Sequence, residues 1–102
     1  MFLVEIFIPA RGSDGRQVDR ADFDTILQSL VENFGGATAF LRSPAKGLWK
    51  DDAGQVEKDE VTIFEVMTPD LNRSWWTTFR EELEQKFDQE EILIRATRIE
   101  RL

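Results

Sequence analysis

The chain has 102 residues, one domain's worth, and 41% hydrophobic against 32% charged residues is the balance of a folded unit, not of a disordered tail. Twenty Asp+Glu against thirteen Lys+Arg leave a net charge of −7, a field that repels nucleic-acid backbones and anionic lipid, and no run is apolar enough to span a membrane. Cys, His and Tyr are all absent, which excludes thiol and imidazole chemistry, disulfides, Cys/His zinc sites and a phenolic proton donor.

Residues Met1 to Pro9 are apolar but carry Glu5 and no basic flank, so they read as a first strand and not as a signal peptide, and the expected compartment is the cytoplasm. The loop from Arg11 to Arg16 sits between a strand and a helix start, where phosphates bind in other folds, but it lacks the glycine spacing of such sites and reads as a plain loop. Asp19 is the predicted N-cap of a helix, with Asp22 three residues on and Val18 placed to staple onto Phe23. Phe23, Ile26, Leu27, Leu30, Val31 and Phe34 form its apolar stripe, and Gly35-Gly36 ends it.

A second strand is expected over Ala37 to Arg42, interrupted at Ser43 to Gly47 by a bulge or sheet edge and resumed at Leu48 to Lys50. Asp51-Asp52-Ala53-Gly54 has hairpin chemistry, and a third strand ends with Val61 to Met67. Asp51, Asp52, Glu57, Asp59 and Glu60 match no calcium loop and read as a solvated hairpin, so no metal site is expected. Thr68-Pro69-Asp70 announces a second helix, with Trp76, Phe79, Leu83 and Phe87 as its stripe, and Ile92 to Ile99 is the last strand.

The order β-α-β-β-α-β predicts a single ferredoxin-like α+β domain over residues 1–102, with an antiparallel sheet ordered 4-1-3-2 and both helices on one face. Alternation sorts the strand residues. Phe2, Val4, Ile6, Ile8, Phe64, Val66, Ile92, Ile94 and Ala96 form the helix-covered face. The opposite face carries Leu3, Glu5, Phe7, Val61, Ile63, Glu65, Met67, Leu93, Arg95, Thr97 and Ile99, and is too apolar to stand open to water. A second copy of the chain is the simplest cover, because a twofold contact uses one patch twice, and a small organic ligand can lie in the same space.

On that face Glu5, Glu65 and Arg95 are expected on neighbouring strands, with Leu3, Phe7 and Ile63 as the floor of a candidate cleft. Two carboxylates beside a guanidinium suit acid–base work, although an ion pair inside a dimer interface is the plainer reading of the same residues. Trp75 lies about 100° around the second helix from Trp76, at the margin of its stripe. It is added to the cleft as an edge, against the simpler alternative of boundary packing. No residue is assigned as catalytic and no cofactor is expected.

Phe34-Gly35-Gly36-Ala37-Thr38, then Gly47-Leu48-Trp49, then Asp52-Ala53-Gly54-Gln55-Val56 with an acidic residue at Asp59 or Glu60, resemble a family of small bacterial and phage proteins of unknown function. The resemblance spans residues 18–67 and implies no catalytic residue. In outline the chain is also similar to the dimeric α+β barrel monooxygenases and haem-degrading enzymes, but the site histidine of those families is missing. The expectation is a homodimeric interaction or small-ligand-binding protein using the open sheet face. A cofactor-independent enzyme with a Glu5, Glu65 and Arg95 cleft is the alternative.

Overall fold

A computed structural model describes residues 1–9, 18–36, 38–50 and 56–102, with the side chains of residues 38–60 outside the description. The loop at 11–16, the turn at 51–54 and the acidic side chains at Glu57, Asp59 and Glu60 therefore lie outside the described residues. Along the chain come β1 (Phe2–Pro9), α1 (Arg20–Phe34), β2 (Thr38–Lys50), β3 (Val56–Thr68), α2 (Arg73–Lys86) and β4 (Ile94–Arg98). The strands make one antiparallel sheet in the order β2-β3-β1-β4, an α+β architecture.

The even-numbered residues of β1 and β3 supply the core. Val4, Ile6, Ile8, Phe64 and Val66 are buried together with Ile26 and Leu30 of α1 and with Trp76, Phe79 and Leu83 of α2. Both helices thus cover the same sheet face, and each large side chain removed from water there contributes about 1.5–3 kcal/mol. Phe87 and Ile92 close the end of this core, where Glu84 Oε2 accepts the Ile92 N–H at 2.8 Å and ties α2 to the approach to β4.

Local chemistry sets the bounds of α1. The Asp19 carboxylate accepts the Asp22 N–H at 2.9 Å while the Asp22 carboxylate accepts the Asp19 N–H at 3.2 Å, a reciprocal capping box. Gly35 ends the helix at φ 77°, donating its N–H to the Val31 carbonyl at 2.8 Å. Val31 departs from the predicted stripe, being 44% exposed, because α2 shares the cover of the sheet and leaves one flank of α1 to solvent.

β2 runs unbroken as an edge strand, with a register shift between Phe40 and Ala45 that contains Pro44. An edge is where a residue without an N–H is tolerated. The second helix starts later than Thr68-Pro69-Asp70 suggests. Phe2 pairs with Thr68 and holds β3 in the sheet to that residue. Asn72 caps α2 instead, its side-chain oxygen accepting the Trp75 N–H at 3.1 Å. The last strand is likewise shorter than predicted, Ile94 to Arg98, and Ala96 is exposed because β4 is an edge that α2 only partly overlies.

Candidate functional site

β1 has a partner on each side, so the odd-numbered face presents three strands in register. Glu5 stands opposite Glu65 of β3 and opposite Arg95 of β4, which brings the three predicted charged residues to one level of the sheet. Arg95 Nε donates to Glu5 Oε1 at 2.9 Å, and the guanidinium lies over the Phe7 ring, 4.9 Å from its centroid. The Glu5 side chain is only 17% exposed, sheltered beneath Arg95. Glu65 has no hydrogen bond or ion pair among the described residues.

Leu3, Phe7 and Ile63 are half-buried around this group, with Phe7 opposite Ile63 and Leu3 opposite Met67. Met67 and Leu93 are 52% and 51% exposed, so the apolar floor is open in the single chain. At the β1 start, a groove of about 670 Å³ runs from Leu3, Glu65 and Met67 to Arg101 and the Phe34–Gly36 turn. Arg101 was not anticipated, although extending the odd-numbered alternation past Arg95, Thr97 and Ile99 leads to it.

Trp75 does not join this group. It sits in the helix layer, edge-on to Phe34 with ring centroids 5.0 Å apart and stacked on Phe79 at 4.9 Å. There it lines a separate groove of about 400 Å³ with Ser29, Asn33 and Asn72. The predicted fold sets both helices on the face opposite the cleft, so Trp75 could edge it only from around the sheet margin, and its place in the helix layer excludes that. Because α2 packs on the Val4 and Ile6 face, the sheet itself separates Trp75 from Glu5, Glu65 and Arg95.

Chemically, the face offers two carboxylates on apolar ground, Glu5 bonded by Arg95 and Glu65 in the groove that Arg101 also lines, where an organic group that carries positive charge can be met. Glu65 is the carboxylate left to meet it. Among the described residues no helix is long and apolar enough to cross a membrane.

No family model matches the chain, and no curated protein matches it. Among solved structures, it is similar to a phage SAM lyase in complex with S-methyl-5'-thioadenosine, at TM-score 0.61 and 18% identity, over 94% of this chain and 79% of that one. It is also similar to a phage SAM lyase in the apo state, at TM-score 0.58 and 18% identity, over 94% and 78% of the two chains. At this identity the likeness is one of fold.

Proposed function

We propose that this chain is a ferredoxin-like α+β protein of the cytoplasm that pairs with a second copy across its open sheet face. A small organic ligand with a positive charge is then held over Glu5, Glu65 and Arg95. One observation carries the reading: Glu5 and Glu65 are opposed on adjacent strands and Arg95 bonds only the first. Like charges directly opposite destabilise a sheet, so a cationic group at Glu65 relieves a cost that the unliganded protein bears. The phage SAM lyases of similar fold support an adenosyl sulfonium as the ligand to try first. A place among the small bacterial and phage proteins with the Phe-Gly-Gly, Gly-x-Trp and D-x-G pattern belongs to the same proposal.

Titration calorimetry with S-adenosylmethionine and with uncharged S-methyl-5'-thioadenosine tests the ligand. The sulfonium is expected to bind about tenfold more tightly or better, the scale of one charge-assisted contact, and Glu65→Gln to narrow the gap. Equal affinities, or no binding of either, overturn the ligand reading. Light scattering that finds only monomer at micromolar concentration overturns the pairing.

The fold likeness to lyases over 94% of the chain favours one second reading, a cofactor-independent enzyme at the same place. Glu5 and Glu65 then act in proton transfer and Arg95 anchors the substrate. S-adenosylmethionine turnover should vanish in Glu65→Gln with the fold intact; turnover retained in both Glu5→Gln and Glu65→Gln removes this reading.

A further inference from the structure

A second cavity, of about 200 Å³, lies on the other side of the sheet, between α2 and the free edge of β4. Its wall includes Arg73, Trp76, Thr77 and Arg80, which recur at helical spacing on one face of α2, and Ile94 and Ala96 of β4. Among the described residues, two polar atoms at this place lack hydrogen-bond partners. Trp76 is 6% exposed, and its Nε1, a donor and nothing else, is buried with no acceptor. The Arg80 Nε is buried and unbonded too, since its nearest carboxylate oxygen, on Glu84, is 3.8 Å away and beyond hydrogen-bond reach.

A buried donor without an acceptor costs about 1–3 kcal/mol, so two of them beside a cavity mark a place built for an acceptor. The strand edge adds more donors. Leu93 accepts from Phe7 and Ile99 donates to Met1, so the odd-numbered residues of this segment bond β1 and the N–H groups of Ile94 and Ala96 point away from the sheet. Thr77 adds none, its hydroxyl already donating to the Arg73 carbonyl at 2.9 Å. Arg95 lends only its strand position, its guanidinium being committed to Glu5 on the opposite face. Glu84 accepts the Ile92 N–H and also forms an ion pair with Arg80 at 3.8 Å, so Arg73 and Arg80 against this one carboxylate leave a local excess of one positive charge on a chain of net charge −7.

We propose that this cavity binds a small oxyanion, a carboxylate or a phosphoryl group, through Arg80, Arg73, the Trp76 indole N–H and the outward N–H groups of β4. The volume is below the 300–1,000 Å³ range of pockets for drug-sized ligands, which suits a single anionic group. The site is independent of the open sheet face and of any reading given to it.

The test is titration of the ¹⁵N-labelled protein with inorganic phosphate and, separately, acetate, with chloride at matched ionic strength as reference. The Trp76 indole signal is assigned by its loss in Trp76→Phe. That signal and the Ala96 amide are expected to shift saturably with at least one of the two anions and not with chloride. Saturation by phosphate identifies a phosphoryl group, and saturation by acetate a carboxylate. Arg80→Gln should weaken the response about tenfold or more, with the rest of the spectrum unchanged, as expected for loss of a charge-assisted hydrogen bond. If Arg80→Gln does not fold, Arg73→Gln, at the exposed first position of α2, takes its place with the same expectation. Overturning results are shifts linear in concentration and alike for all three anions, no shift at Trp76, or affinity unchanged in the arginine variant.

Discussion

Glu5 and Glu65 are opposed on adjacent strands, and like charges directly opposite lower the stability of a sheet. Removing the charge on Glu65 ends a carboxylate opposition without breaking any bond among the described residues, so Glu65→Gln is expected to stabilise the free protein by about 0.2–1 kcal/mol. Glu5→Gln weakens the bond from Arg95, whose side chain is 58% exposed, so screening keeps the loss within about 1 kcal/mol. Urea unfolding of the two variants separates them by sign, and a destabilised Glu65→Gln contradicts the strain assigned to the pair. Gly35 makes a cleaner backbone case. A Cβ there meets nothing within 4 Å, yet φ is 77°, so Gly35→Ala should cost about 1–2 kcal/mol through conformation alone. Gly36→Ala, also with open space and no left-handed φ, should be near neutral in the same unfolding experiment.

Among the elements, the two helices start by different devices. α1 has a reciprocal capping box and α2 a single Asn72 cap, so Asp19→Ala and Asn72→Ala should each lower stability by about 1 kcal/mol. Pro69→Ala is expected to stay within about 0.5 kcal/mol, because Pro69 is exposed and lies outside the helix; a larger loss would return the helix start to Thr68. The reason α2 begins late is the sheet: β3 remains paired with β1 through Thr68, and the Thr68 hydroxyl then donates to the Asp70 carbonyl at 2.8 Å to turn the chain. Beyond β1, the ladder between β2 and β3 continues from Lys46 opposite Glu60 to Lys50 opposite Val56. At about 3.4 Å per residue this arm extends the protein well past its core, in line with a long axis of 44 Å.

At the level of the whole molecule, one sheet face is sealed by two helices and the other is left with Leu3, Phe7, Ile63, Met67 and Leu93 partly or half exposed. If a second copy covers that face, Leu93→Lys places a charge in the contact while touching nothing in the core. Light scattering should then report the single-chain mass of 11.9 kDa with unchanged circular dichroism. An unaltered oligomer mass in Leu93→Lys would place the contact elsewhere, at the β4 edge or the paired β2–β3 arm. The grooves beside Glu65 and beside Arg80 share no lining residue, so the two ligands proposed for them would not compete.

Whatever depends on neighbours in the chain is legible before folding. The Asp19 cap, the Gly35 stop and the even and odd faces of β1 and β3 follow from side chains within a turn or a two-residue repeat, and parity alone put Glu5, Glu65 and Arg95 on one face. Tertiary structure decided register and side. Only strand pairing set Glu5 level with both Glu65 and Arg95, carried β3 on to Thr68 and moved the helix cap to Asn72. Only helix packing put Trp76 and Arg80 beside the β4 edge. The physical reason is that local chemistry fixes dihedral angles and periodicity over a few residues. Which residues then meet depends on burying the Val4, Ile6 and Phe64 face, a free energy that belongs to the whole core and is written in no single segment.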